Sequence, residues 1–190
     1  MRIIVGISGA SGVVLGLELL KALKEQAVET HLLISEGARI TFQYETEVTL
    51  DEVITLADHY YDINDLAAPI SSGSFPTDGM IIIPCSMKTL SAVAHGYANN
   101  LMVRAADVCL KENRRVVLVP RETPLGKAHL KNLLEAADNG CAIIPPMLTF
   151  YNSPHTLQDQ VDYLIGKILM QFGLEHRAFK PWSGMRESDE

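Results

Sequence analysis

The segment Arg2–Ile7 (RIIVGI) is apolar on both of the faces a strand would present, and Gly9-Ala10-Ser11-Gly12 halts it before the hydrophobic spacing changes. A strand with no polar face must be covered on both sides, which a parallel sheet between helical layers provides. The same kind of run recurs at 31–34 (HLLI), 80–84 (MIIIP), 116–119 and 141–144. Between these runs the period lengthens. Val13, Val14, Leu17 and Leu20 recur at helical spacing opposite Glu18, Lys21 and Lys24, weaker helical patterns occupy 37–44 and 50–57, and stronger ones span 101–112 and about 125–138. Buried strands alternating with amphipathic helices imply βαβ units, parallel pairing and right-handed crossovers.

The strongest helical pattern is 156–172. Leu157, Val161, Leu164, Ile165, Ile168 and Phe172 form its apolar stripe, Thr156 with Asp159 a capping box, and Gly173 its stop. With no internal repeat and no linker, the 190 residues read as one domain, 1–190, with a charged tail from about 174 suited to contacts with a neighbouring subunit.

Charge and cysteine usage narrow the function classes. Against 16 Lys+Arg stand 23 Asp+Glu, so no basic stripe is available for a nucleic-acid duplex, and any anion must be held at a local site. The three cysteines, Cys85, Cys109 and Cys141, are far apart and fit neither a disulfide framework nor a standard zinc site. The six histidines show no i, i+4 pair, so no metal motif emerges. No run approaches the roughly 20 apolar residues of a membrane span, and no charged leader precedes the first strand. A reducing cytoplasm is the default compartment.

In an open parallel α/β sheet, ligands bind beyond the carboxyl ends of the strands. Four such segments stand out. Ser8-Gly9-Ala10-Ser11-Gly12 is either a tight turn or a loop that lets a ligand approach the backbone at a helix N-terminus. Its glycines are not spaced G-x-G-x-x-G, and Ser35 rather than an acid ends the second strand, which disfavours a nicotinamide dinucleotide. Pro84-Cys85-Ser86-Met87-Lys88-Thr89-Leu90-Ser91 ends a strand and leads a helix with hydroxyls, serving as a cap or as contacts to a phosphate or polar ring edge. Arg104 and Lys111 lie two turns apart on one helical face, as an ion-pair surface with Asp107 or as a phosphate clamp. Arg121 and Glu122 follow a strand between Pro120 and Pro124. Later in the chain, Tyr151 follows the Pro145-Pro146 break, and Lys167 lies one turn after Tyr163.

These segments, in this order, resemble the UbiX family of flavin prenyltransferases, which includes the B components of phenolic-acid decarboxylase systems. The likeness runs over GISGASG at 6–12, ETHLLIS at 29–35, ETEV at 45–48, SSGSF at 71–75, PCSMKTLSAVAHG at 84–96, NNLMVRAADVCLKE at 99–112, LVPRETPL at 118–125 and FYNSP at 150–154. It implies a Rossmann-like (flavodoxin-like) three-layer α/β/α flavoprotein with a mostly parallel sheet. The implied reaction joins the dimethylallyl group of its monophosphate to reduced FMN, without a metal. The prenylated FMN then serves a UbiD-type decarboxylase, and the implied assembly is a homo-oligomer, a dodecamer built from trimers.

Carried over by motif, FMN is expected at Gly9, Ala10, Ser11, Ser35, Ser86, Met87, Lys88, Thr89 and Arg121. The prenyl phosphate is expected at Tyr151 and Lys167, with Arg104 and Lys111 contributed by a neighbouring chain. Ser11, Glu45 and Glu122 are the implied catalytic groups, Glu122 with Ser11 forming a proton relay. Two positions depart from the family pattern: Lys167 replaces an arginine found in some relatives, and Leu66 an aromatic. The alternatives are direct decarboxylation of phenylacrylic acids, a non-catalytic FMN carrier, and a cysteinyl decarboxylase of the same fold. The last needs a histidine before the third strand, where this chain has Ala67-Ala68-Pro69-Ile70-Ser71. Met102, Val103, Phe179 and Trp182 are the apolar residues expected to face other subunits.

Overall fold

The computed structural model describes residues 1–177 and 179. The chain divides into two compact units, 1–146 and 147–190.

In the first unit the order is β1 (Arg2–Ile7), α1 (Val13–Glu25), β2 (Glu29–Ile34), α2 (Glu36–Glu45), α3 (Leu50–Ile54), β3 (His59–Tyr61), β4 (Gly79–Cys85), α4 (Met87–Ala94), α5 (Leu101–Lys111), β5 (Arg115–Pro120), α6 (Lys127–Asp138) and β6 (Ala142–Ile143). The strands form one sheet, β3-β2-β1-β4-β5-β6, and every pairing in it is parallel. This is the doubly wound order of a Rossmann-like domain, with its switch point between β1 and β4.

Strand alternation divides the apolar residues between two layers. Ile4, Leu33, Met80, Ile82, Val116 and Leu118 share one cluster with Leu90, Val93, Leu101, Ala105 and Ala136 of α4, α5 and α6. Their sequence neighbours Ile3, Val5, Leu32, Ile34, Ile81 and Val117 are equally buried on the opposite face. There α1 lies directly on the sheet: a Cβ added at Gly16 would stand 2.8 Å from the Ile83 carbonyl oxygen and from Ile7 Cδ1. Removing each large side chain from water contributes about 1.5–3 kcal/mol.

The second unit holds α7 (Leu157–Leu169), capped by Thr156 and Asp159 as expected. A 3₁₀ turn over Met170–Phe172 then tightens the helix before Gly173, whose φ of 69° only glycine adopts freely.

Several expectations need correction. β3 was missed because it is a three-residue edge strand with no apolar run. Met102 and Val103 do not face outward; both are buried in the core between α5 and the sheet. The large exposed apolar residues among those described include instead Ile40 and Tyr44 on α2, Leu130 and Leu134 on α6, and Met147, Leu148 and Phe150. Leu157, assigned to the apolar stripe of α7, is exposed, whereas Val161, Leu164, Ile165 and Ile168 are buried. Trp182 lies outside the described residues. Among those described, no helix is long and apolar enough to cross a membrane.

Candidate functional site

The carboxyl ends of β1 and β4 are bound together by Ser8, a buried residue that the sequence places at the head of the first loop without a role of its own. Its Oγ donates to the Pro84 carbonyl (2.9 Å) and accepts from the Ser86 N–H (2.7 Å), while its own N–H donates to the same carbonyl (3.1 Å). The loops after these two strands are therefore one unit. Gly9 adds a third element, since its backbone lies so close to the start of α2 that a Cβ would stand 2.8 Å from Gly37 Cα and its carbonyl carbon. Glycine is required there by contact with α2 within the protein itself.

The N-terminus of α1 is not an open anion site. The Glu45 carboxylate, from the last turn of α2, accepts from Gly12 N–H (2.8 Å) and Val13 N–H (3.1 Å). An internal carboxylate thus takes the place that a phosphate could have filled at the positive end of the helix. Partial burial pushes the Glu45 carboxyl up, but hydrogen bonds from Ser11, Gly12 and Val13 and the charge of Arg121 outweigh it, so the net shift is downward. Ser11, Glu45 and Arg121 are consequently neighbours. Ser11 stands beside Glu45, whose carboxyl it helps hold low, whereas the exposed Glu122 accepts from the N–H of Thr123 (2.9 Å).

Around this centre stand the other residues expected to hold a flavin. Ser35 caps α2, accepting from Ala38 N–H (3.2 Å), and its own N–H donates to the Ile7 carbonyl. Ser86 caps α4, accepting from Thr89 N–H (3.3 Å) and donating to Thr89 Oγ1 (3.1 Å). Both serines therefore cap helices, one of the two roles open to Ser86 from its sequence, and each oxygen keeps acceptor capacity at the carboxyl edge of the sheet. Met87 is half-buried and Lys88 exposed. A cavity of about 270 Å³ between α4 and α5 is lined by Lys88, Thr89, Ser91, His95, Tyr97 and Asn100, among others. Arg121 is exposed, and its N–H donates to the Cys85 carbonyl. Burial pushes the Cys85 thiol far up, so it is no nucleophile.

Arg104 forms the ion pair with Asp107 that its spacing allowed (2.7 Å) and also donates to the Ser71 carbonyl (3.1 Å). Lys111, at the last position of α5, lies about 10 Å along the helix from it. In the second unit the Tyr151 hydroxyl is hydrogen-bonded to that of Tyr163, with the rings edge-on at 5.9 Å. The bond from Tyr163 and partial burial push the Tyr151 phenol up, and the charge of Lys167 offsets part of that rise. Tyr151, Tyr163 and Lys167 are therefore one group.

A second polar cluster occupies the amino edge of the sheet, away from these loops. Glu29, His31 and His59 bring three ligand-type atoms within 4.8 Å of one another, a grouping created by strand pairing and invisible to a search for i, i+4 histidines. The Glu29 oxygen is already engaged by Arg2 (2.8 Å), and the two imidazoles stack at 24° rather than converging on a common point. The geometry is that of an Arg2–Glu29 ion pair with His31 hydrogen-bonded to the same carboxylate and His59 stacked on His31.

Comparison with known proteins gives consistent results. A family model described as Flavoprotein matches residues 1–170. A Sedimentibacter hydroxybenzoicus protein named "Probable UbiX-like flavin prenyltransferase" is 63% identical over 98% of this chain and 100% of its own length. Two crystal structures share the fold closely. The dodecameric FMN-dependent UbiX-like decarboxylase of Escherichia coli O157:H7 is 52% identical with a TM-score of 0.94, covering 97% of this chain and 100% of its own. AnUbiX (PadA1), in complex with FMN and dimethylallyl pyrophosphate, is 48% identical with a TM-score of 0.95, covering 97% and 98%.

Proposed function

The chain belongs to the family of UbiX-like flavin prenyltransferases, and from that premise we propose that it joins the dimethylallyl group of dimethylallyl monophosphate to reduced FMN. The flavin, when bound, supplies the nucleophilic N5 and C6 positions at which a fourth ring is closed. The observation that carries this reading is the convergence of Gly9, Ser11, Ser35, Glu45, Ser86 and Arg121 at the switch point between β1 and β4.

In this reading Gly9, Ala10, Ser11, Ser35, Ser86, Met87, Lys88, Thr89 and Arg121 hold FMN. Because Glu45 occupies the start of α1, the flavin phosphate is assigned to the serine and threonine hydroxyls and to cationic side chains rather than to that helix. Tyr151 and Lys167 hold the prenyl phosphate, with Arg104 and Lys111 of a neighbouring subunit adding charge. Breaking the allylic carbon–oxygen bond leaves a phosphate anion and a delocalised cation, so cationic and hydroxyl donors at the phosphate stabilise the transition state. Glu45 holds Ser11 Oγ in place for proton relay at the flavin, and Glu122 is the second acid. A monophosphate carries less charge than a pyrophosphate and can be held by such groups without Mg²⁺.

The reading takes 1–190 as one functional domain acting in the cytoplasm as a homo-oligomer. Exposed Ile40, Tyr44, Leu130 and Leu134 suit subunit contacts, and the E. coli relative is a dodecamer. The recipient of the product is a UbiD-type decarboxylase. The test is anaerobic and metal-free: protein, reduced FMN and either the dimethylallyl monophosphate or the pyrophosphate, followed by addition to an apo UbiD-type decarboxylase. Activation with the monophosphate supports the reading. Activation with the pyrophosphate alone replaces the donor, and decarboxylation of phenylacrylic acids before any partner is added would favour the direct alternative.

A further inference from the structure

Tyr163 has no part in the roles set out above, yet it is in direct contact with Tyr151. Its hydroxyl bonds to the Tyr151 hydroxyl, and its ring is held between Tyr151, edge-on at 5.9 Å, and Phe179 at 5.4 Å. Phe179 in turn lies over Gly166, where a Cβ would collide with its ring. Tyr163 is half-buried on α7, one turn before the exposed Lys167, so one helix carries both the phenol that meets Tyr151 and the ammonium beside it.

A phenol has one proton to donate and lone pairs with which to accept. If Tyr151 gives its proton to a phosphate oxygen, its bond with Tyr163 persists only with the Tyr151 oxygen as acceptor and the Tyr163 hydroxyl as donor. We propose that Tyr163 is a positioning residue for the prenyl donor: its hydroxyl donates to Tyr151, which fixes the Tyr151 ring and turns the Tyr151 proton toward the phosphate. A chain of two hydroxyls also polarises the terminal donor, strengthening its bond to an anion. The proposal rests on the reading that Tyr151 and Lys167 hold the prenyl phosphate.

The test is a double-mutant cycle in full-length protein at saturating reduced FMN, measuring KM and kcat for dimethylallyl monophosphate in Tyr163→Phe, Tyr151→Phe and the double variant. Tyr163→Phe should raise KM about five-fold, the loss expected for one neutral hydrogen bond, with kcat within two-fold and FMN affinity unchanged. The double variant should be no worse than Tyr151→Phe alone. Inhibition by inorganic phosphate should weaken in parallel, a readout independent of turnover.

A wild-type KM in Tyr163→Phe beside a raised KM in Tyr151→Phe would overturn the role of Tyr163 and leave the donor site standing. Additive effects in the double variant would also overturn it, as would a fall in kcat and unfolding midpoint with KM unchanged. A wild-type KM in Tyr151→Phe would remove the donor-site reading, and this inference with it.

Discussion

Replacing Ser8 with alanine deletes one oxygen that joins the two strands flanking the switch point. Ser8 is 1% exposed. Its Oγ makes two bonds, donating at 2.9 Å to Pro84 and accepting at 2.7 Å from Ser86 N–H. The Pro84 carbonyl would keep its bond from Ser8 N–H (3.1 Å) and would not be orphaned. The Ser86 N–H would lose its partner, at about 1–3 kcal/mol for an unsatisfied donor, and the lost hydroxyl bond adds about 0.5–1.5 kcal/mol. Because Ser86 is only half-buried, water recovers part of this, giving about 2–3 kcal/mol in total. Chemical denaturation of Ser8→Ala should read that loss directly. FMN affinity should fall as well, roughly ten-fold if about 1.4 kcal/mol of the cost lies in loop placement, although Ser8 is not assigned a contact to the flavin. A variant with wild-type stability and wild-type FMN affinity would refute the claim that Ser8 makes the two loops one unit.

Three further perturbations have outcomes set by the same geometry. Gly9→Ala places a Cβ 2.8 Å from the Gly37 backbone and should cost about 1–3 kcal/mol, more than Gly37→Ala, whose nearest approach is 3.2 Å; equal costs in urea unfolding would contradict this. Glu45→Gln keeps an acceptor at the start of α1 but loses its charge there, for about 0.3–1 kcal/mol at neutral pH. Since the folded carboxyl is shifted down, that difference is fully present above the ordinary carboxylate range, starts to fall as pH drops through it, and is lost once pH passes below the lowered folded value. Glu29 is held from 4.5 down to about 2, first by the Arg2 hydrogen bond against burial and then by His31, so it stabilises the fold above pH 4.5 and loses that contribution between there and about 2. Arg2→Ala should move the Glu29 titration, followed by NMR, back toward 4.5.

How much of this was legible in the sequence depends on whether the signal is local. The strands of the sheet centre announce themselves as unbroken apolar runs, and the capping box of α7 can be read from Thr156 and Asp159 alone. β3 has no such run, because an edge strand of three residues needs no apolar pattern of its own. The outward assignment of Met102 and Val103 failed because α5 carries only a narrow polar face, Arg104, Asp107 and Lys111, and its wide apolar remainder, Leu101, Met102, Val103, Ala105, Ala106, Val108 and Cys109, is buried within the chain itself and not left over for a partner. The site divides the same way. Strand-end positions located Ser35, Ser86 and Arg121, and family resemblance supplied Glu45. That Glu45 caps a helix 33 positions earlier in the chain, in contact with Ser11, is a tertiary fact. So are the Ser8 bridge over a separation of 78 residues and the Tyr151–Tyr163 pair.

The most direct test of the account is mass spectrometry of the flavin released after anaerobic incubation of the purified protein with reduced FMN and dimethylallyl monophosphate, in the presence of a chelator. The account predicts FMN enlarged by one five-carbon prenyl unit. FMN recovered unchanged from a protein that binds it tightly would contradict the transferase claim and leave a flavin carrier in its place.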